Sequence, residues 1–156
     1  MPLRYRRQDI KVGSVTIHLQ VLRDLRQFAD PNRLAKDAGI SEEAFPLFGI
    51  VWASSEVLAD LMMDYEIAGK RILEVGCGIA LVSHVLNYRG ADITAMDIHP
   101  GSIELLASNS QLNMHPPIPF YHESWSDETL DLGKFDLIVG ADILYEPKHV
   151  VNLAPF

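Results

Sequence analysis

The residues of this chain able to do chemistry fall in three short runs. The first is Arg71-Ile-Leu-Glu-Val-Gly-Cys-Gly-Ile-Ala, which carries Glu74, Gly76, Cys77 and Gly78. The second is Ala95-Met-Asp-Ile-His, with Asp97 and Ile98, and the third is Gly140-Ala-Asp-Ile-Leu-Tyr-Glu, with Ala141, Asp142 and Tyr145. Glycines directly after an apolar run permit a tight turn and a close backbone approach to a ligand. Amide groups at the start of a following helix favour an anionic or acceptor group. An acid at the end of the next strand is suited to accept hydrogen bonds from the hydroxyls of a ribose. Together these features outline half of a nucleotide-type binding site.

The spacing narrows the ligand. A dinucleotide fingerprint requires a third glycine at position 81, where this chain has Leu81. No lysine-bearing phosphate loop accompanies the glycines, so triphosphate hydrolysis is not expected. An adenosyl ligand without phosphates remains, against the plainer reading of a strand–helix turn that holds nothing. Asp142 and Tyr145 follow another apolar strand, and ligands of doubly wound sheets bind beyond the carboxyl ends of strands. A carboxylate there can orient an amine nucleophile, and a phenol can position it by a hydrogen bond or cation–π contact. The plainer alternative has Asp142 capping the next helix and Tyr145 packing on its side. Cys77, the single cysteine, reads as a small residue that fits the turn, and His99 as a loop residue rather than a base. The six histidines are scattered without ligand spacing, so no metal centre is expected.

The elements that must position these groups alternate. Ile72, Leu73 and Val75 form a strand apolar on both faces, as a covered parallel sheet requires. Leu81, Val82, Val85 and Leu86 follow at helical spacing, and Gly90 sits where that helix stops. Ala91 to Met96 reads as a second strand, Ile118 to Tyr121 as a third, and Phe135 to Gly140 as a fourth. Pro100 is placed to open a helix lined by Ile103, Leu106 and Ala107. Upstream, Val15 to Val21 alternates as a half-buried strand, with Ile10-Lys-Val as the other arm of a hairpin across Gly13-Ser14. Short helices are expected over residues 31–46, broken by Gly39 and with Ser41 as a cap. Ser54 or Ser55 is expected to cap a helix carrying Val57, Leu58, Leu61, Met62 and Tyr65. The fold class is therefore α/β, a doubly wound, mostly parallel sheet. The expected division is an N-terminal hairpin and helical extension over residues 1–66, packed on a Rossmann-like core over 67–156.

These motifs resemble those of the class I, seven-β-strand S-adenosylmethionine (SAM) methyltransferases. Glu74-x-Gly76-x-Gly78 and Asp97 are similar to that family's first two motifs, with Ala80 in place of its usual third glycine. Asp142-Ile-Leu-Tyr145 resembles the Asp/Glu-x-x-Tyr/Phe motif of the protein lysine methyltransferases of methyltransferase family 16. Gly49-Ile-Val-Trp52, Ser108-Asn-Ser-Gln-Leu-Asn113 and Ser124-Trp125-Ser resemble further segments of the same group. The likeness runs from Phe48 to Glu146. It implies cofactor contacts from Trp52, Glu74, Gly76, Cys77, Gly78, Asp97, Ile98, Trp125 and Ala141, and catalytic roles for Asp142 and Tyr145. Trp52 and Trp125 also admit the plainer role of core aromatics. The resemblance implies methyl transfer from SAM to a protein lysine, with S-adenosyl-L-homocysteine as product. The alternatives are a small-molecule N-methyltransferase and a non-catalytic SAM-binding or interaction fragment.

Composition agrees. A chain of 156 residues, 48% hydrophobic and 22% charged, suits one globular domain with a sizeable core. A net charge of −8 argues against a nucleic-acid partner. The N-terminal cluster Arg4, Arg6 and Arg7 reads as a solvated face. No signal peptide and no membrane span are expected, and the lone cysteine is compatible with a cytoplasmic setting. The family fold continues with more strands after the point where this chain stops, and Phe135, Leu137, Ile138 and Val139 are too apolar for an open edge. The expectation is a core incomplete at its C-terminus, with reduced turnover. The edge would be covered by further chain or by self-association through the fourth strand.

Overall fold

The computed structural model describes residues 2–27, 29–127, 129–145 and 147–156. An antiparallel hairpin comes first, β1 (Tyr5–Val12) and β2 (Val15–Leu22), followed by a single turn of helix α1 (Leu34–Asp37), a 3-10 turn (Phe45–Gly49) and α2 (Ala53–Asp64). The core then alternates as β3 (Arg71–Val75), α3 (Leu81–Tyr88), β4 (Asp92–Met96), α4 (Ser102–Leu112), β5 (Phe120–Tyr121), β6 (Leu137–Val139) and α5 (Pro147–Leu153). Its four strands form one parallel sheet in the order β5-β4-β3-β6.

That order sets the place of the site. The chain steps outward from β3 to β4 to β5, then returns to the other side of β3 to lay down β6. The direction of winding thus reverses between β3 and β6, and a crevice opens at their carboxyl ends. Register completes the alignment. Glu74 lies opposite both Ala95 and Val139, so Gly76, Asp97 and Gly140 leave their strands at nearly one level.

Several local expectations change in the fold. The helix after Pro100 begins at Ser102, because His99 to Ser102 closes a turn (Ser102 N–H to His99 O, 3.1 Å) with proline at its second position. The buried face of α4 is Ser102, Leu105, Leu106, Asn109 and Ser110, while Ile103 and Ala107 are exposed. α2 starts two or three residues earlier than expected, with Trp52 at its N-cap and neither serine capping it. Its inward face is Ser55, Ala59 and Met62, and the helix packs on α3 and β1, whereas Val57 is 71% exposed. Phe45–Asp64 is also apolar and long enough, by length and composition, to cross a membrane, which corrects the expectation that no segment is. Here it is divided into the 3-10 turn and α2, with Phe45, Phe48, Ala59 and Met62 in the core. β6 lies at the edge of the sheet, with Ile138 46% exposed. One core cluster joins Ile17, Leu19 and Val21 of the hairpin to Ile72, Val85 and Leu106.

The hairpin is attached to the core by two asparagines. Asn113 Oδ1 accepts from His18 N–H at 2.9 Å and its amide donates to His18 O at 2.7 Å. Asn109 repeats the pattern on Gln20, at 2.7 Å and a longer 3.4 Å. Residues four apart on a helix rise about 6 Å, close to the roughly 6.6 Å between alternate residues of a strand. Two carboxamides on α4 thereby stand in for a neighbouring strand along the outer edge of β2. Asn113→Ala or Asn109→Ala would leave buried strand groups unpaired, costing about 1–3 kcal/mol each. Chemical denaturation should show that loss, and the amides of His18 and Gln20 should lose hydrogen-exchange protection ahead of those in β3.

Candidate functional site

Among the described residues, two hollows bear on the question of a site. One of about 540 Å³ lies at the amino ends of β3 and β4, lined by Glu66, Lys70, Arg89 and Asp92 among others. Its charges balance, and the Arg89 guanidinium is already spent on the carbonyls of Met62 and Tyr65. The other, about 510 Å³, opens at the carboxyl ends of the strands, where the winding reverses. Every site residue read from the sequence lines it: Trp52, Glu74, Gly76, Cys77, Gly78, Asp97, Ile98, Trp125, Ala141, Asp142 and Tyr145. The Glu146 end of the third run lies outside the described residues.

The floor is the turn after β3. Gly76, Gly78 and Ala80 alternate in left-handed backbone, with φ of 58°, 51° and 59°. Alanine pays a steric penalty there that glycine does not. The first two positions have little room for anything but glycine. A Cβ on Gly76 would stand 2.7 Å from Ile143 Cγ2, and one on Gly78 3.0 Å from the Phe48 carbonyl oxygen. The tight turn expected from the sequence requires glycine on sterics alone, because Ile143 and Trp125 fill the space beside Gly76 and Phe48 that beside Gly78.

The turn's donors are held by two buried carboxylates. Asp97 accepts from Gly78 N–H at 2.6 Å and from His99 N–H at 2.7 Å. Glu74 accepts from the N–H and the hydroxyl of Ser83, the third residue of α3. α3 has no side-chain cap of its own, so Glu74 reaches across from the strand to serve as one. The acceptor expected from a ligand at this helix start is thus supplied partly by the protein. Burial raises the carboxyl of Glu74 to about 7 and also raises that of Asp97, despite the N–H groups that favour their anions. Burial likewise raises the Cys77 thiol, keeping it protonated, as a residue that merely fits.

The walls are aromatic. The Trp52 indole N–H donates to Leu47 O at 3.2 Å, and its ring stands on the rim, 37% exposed, not in the core. His99 is a loop residue, stacked on Phe48 at 3.8 Å and edge-on to Phe45 at 4.8 Å. Burial lowers its imidazole to about 4, so it is neutral and only weakly basic near neutral pH. Across the cavity, His149 of α5 meets Trp125 and Tyr145 edge-on at 5.6 and 4.7 Å. Asp142 adopts left-handed backbone (φ 54°), and Ser54 of α2 donates its hydroxyl to the Asp142 carboxylate. Asp142 therefore faces the amino end of α2 rather than capping α5. Phe48, His99, His149 and Ser54 were not legible as site residues. The one signal was Ser54 at the start of a helix, read as a cap.

Residues 72–153 match the protein family described as a methyltransferase domain. The chain is 35% identical over 105 residues to protein N-lysine methyltransferase METTL21A of Danio rerio, covering 62% of this chain and 47% of that protein. It is 32% identical over 110 residues to histone-arginine methyltransferase METTL23 of Xenopus laevis, covering 66% and 47%. It thus spans about half the length of these curated relatives. Among solved structures it resembles a T. thermophilus 16S rRNA N2 G1207 methyltransferase in complex with AdoMet and guanosine. That match has a TM-score of 0.63 at 15% identity, over 90% of this chain and 33% of that one. A ribosomal protein L11 methylase from Lactobacillus delbrueckii matches with a TM-score of 0.58 at 20% identity, over 94% and 71%. These two likenesses are of fold.

Glu74 makes stability depend on pH in a definite sense. Its folded-state carboxyl, near 7, lies above the usual 4.5, so the folded chain binds more protons between those values. The stability present below about 4.5 is lost as pH rises through about 7, by at most on the order of 3 kcal/mol. Thermal unfolding followed from pH 5 to 8 (about one unit beyond the upper value) should show this decline, and Glu74→Gln, which keeps an acceptor for Ser83, should flatten it.

Proposed function

The chain belongs to the methyltransferase domain family, and from that premise we propose that it binds S-adenosyl-L-methionine and directs its methyl group to a lysine amine of a protein. The observation that carries this reading is that one cavity joins the two halves. Glu74 and Asp97 lie on its β3–β4 side and Asp142 and Tyr145 at its β6 side.

The lining fits such a cofactor. Among the described residues its carboxylates, Glu74, Asp97, Glu123 and Asp142, outnumber its one formal cation, Lys148. That balance suits a cationic ligand and opposes phosphates. Asp97 has used one lone pair on each oxygen, which leaves acceptor capacity for ribose hydroxyls. Trp52 and Trp125 provide flat apolar surface for a purine, and a volume of about 510 Å³ falls within the usual range for such ligands. When bound, the cofactor supplies a methyl group already activated by its sulfonium, with S-adenosyl-L-homocysteine as the product.

The chain's own residues then have to select and aim the amine. The Asp142 carboxylate attracts the arriving ammonium, and Tyr145 offers its ring and phenol on the same rim. Desolvation within the aromatic wall lowers the lysine's proton affinity, so the neutral amine forms where it is needed. Ser54 donates to Asp142 Oδ2, and the carboxylate keeps acceptor capacity for the incoming amine. The acceptor proposed for this carboxylate is the compact point charge of a lysine ammonium. The relatives named as lysine methyltransferases, METTL21A and EEF1A lysine methyltransferase 3, support the same choice. A cytoplasmic setting is part of the proposal, supported by the lone, buried Cys77. Self-association through β6 is another part. Sedimentation should show a concentration-dependent dimer that Ile138→Lys abolishes.

Calorimetric titration with SAM and S-adenosyl-L-homocysteine tests the first half of the reading, and saturable binding of both is expected. Tritiated-methyl transfer into protein rather than metabolite fractions tests the second. Asp142→Ala should keep cofactor affinity within about threefold while lowering transfer by about a hundredfold or more. Equal loss of both would make Asp142 a cofactor ligand, and transfer into metabolites alone would point to a small-molecule acceptor. No affinity for either ligand would overturn the proposal.

A further inference from the structure

The cofactor cavity uses neither the hairpin's outer strand nor the chain's largest concentration of positive charge. The two coincide. β1 is eight residues long, and β2 pairs with it on one side only. His18 and Gln20 of β2 turn their backbone groups toward Asn113 and Asn109, so their partners across the hairpin, Asp9 and Arg7, are the pairs that share no ladder bonds. By the same alternation Tyr5, Arg7, Asp9 and Lys11 present their N–H and C=O groups on the far side of β1. Among the described residues no backbone hydrogen bond reaches them there.

The side chains along this edge carry one dominant sign. Residues 4–26 hold six basic and two acidic side chains in a chain whose net charge is −8. On β1, the Asp9 carboxylate is already engaged by Arg7 and His18. Arg4, Arg6 and Lys11 are exposed, and among the described residues no carboxylate lies within ion-pair distance of them. Charge on an edge strand commonly discourages pairing between copies of a protein. A single-sign edge does so against itself while attracting a strand of opposite sign, and a row of free backbone groups fixes the register of whatever arrives.

We propose that β1 is a docking edge for an extended acidic segment of a partner protein, which adds to the hairpin as a third strand. Main-chain bonds to Tyr5, Arg7, Asp9 and Lys11 hold it, and Arg4, Arg6 and Lys11 select its charge. The edge lies apart from the cofactor cavity, so its test reads binding alone and stands or falls separately from methyl transfer.

The probe is a fluorescein-labelled peptide of alternating glutamate and valine, about eight residues long to match a strand. Its binding to the whole chain is read by fluorescence anisotropy. Saturable binding that weakens with salt is expected, with at least a tenfold loss in the combined Arg6→Glu and Lys11→Glu variant. Backbone N-methylation of one alternate set of peptide residues should abolish binding, and methylation of the other set should not, because one edge alone faces β1. Asp9→Pro should also abolish it, since proline is tolerated where the N–H points away from the hairpin partner. That substitution raises the local positive charge, so a merely electrostatic patch predicts tighter binding instead. The proposal is overturned if both N-methylated peptides bind like the parent, if Asp9→Pro binds more tightly, if a lysine–valine peptide binds equally well, or if the acidic peptide shows no saturable binding.

Discussion

The site depends on two carboxylates taken into an apolar interior to hold backbone N–H groups. A tight glycine turn followed at once by a helix leaves several amide donors pointing into one small region, and buried donors must find acceptors. Glu74 takes the start of α3 and Asp97 takes the turn. Each acid sits at the end of a β-strand, and the strands are locked in register by pairing Glu74 with Ala95. The turn, the helix and both strands are therefore one unit. Neither carboxylate has a basic side chain among its hydrogen-bond partners, which is why burial raises both. A cation entering the cavity would relieve that cost, so the acids that build the turn also bias it toward a positively charged ligand.

A similar economy links the hairpin to the core. α4 presents Asn109 and Asn113 to β2 as a substitute strand, which closes one edge of the hairpin and leaves the other, on β1, open and basic. The core cluster continues across the join, so the hairpin is fastened by apolar packing from Ile17, Leu19 and Val21 as well as by the two asparagines. The acidic cavity and the basic strand thus occupy separate parts of one compact unit.

Much of the core was legible because its signals are local. Ile72, Leu73 and Val75 announce a strand covered on both faces, and all three are buried. Leu81 to Leu86 announce a helix, and Gly90 its end, with φ of 75°. The helices that depart from their apolar pattern, α2 and α4, turn Ser55, Ala59, Asn109 and Ser110 inward beside Met62, Leu105 and Leu106. Ala59 is fully buried and Asn109 bonds to β2, while Val57 and Ile103, to which hydrophobic periodicity pointed, are exposed. The serines of α2 misled for a related reason. Local rules for helix caps say nothing of Asp142, which meets Ser54 from 88 residues away.

The sequence by itself determined which elements form, where the glycine turn falls, and which acids stand at the ends of its strands. Those properties follow from side-chain period and from the backbone freedom of glycine, both set within a few residues. Only the tertiary structure decided what fills the space beside each glycine, how α4 is turned, which donor holds Asp142, and that β1 keeps a free edge. Each of these is a contact between segments far apart in the chain. Such contacts arise from the order in which β6 returns beside β3 and from the fit of faces, and no local pattern encodes them.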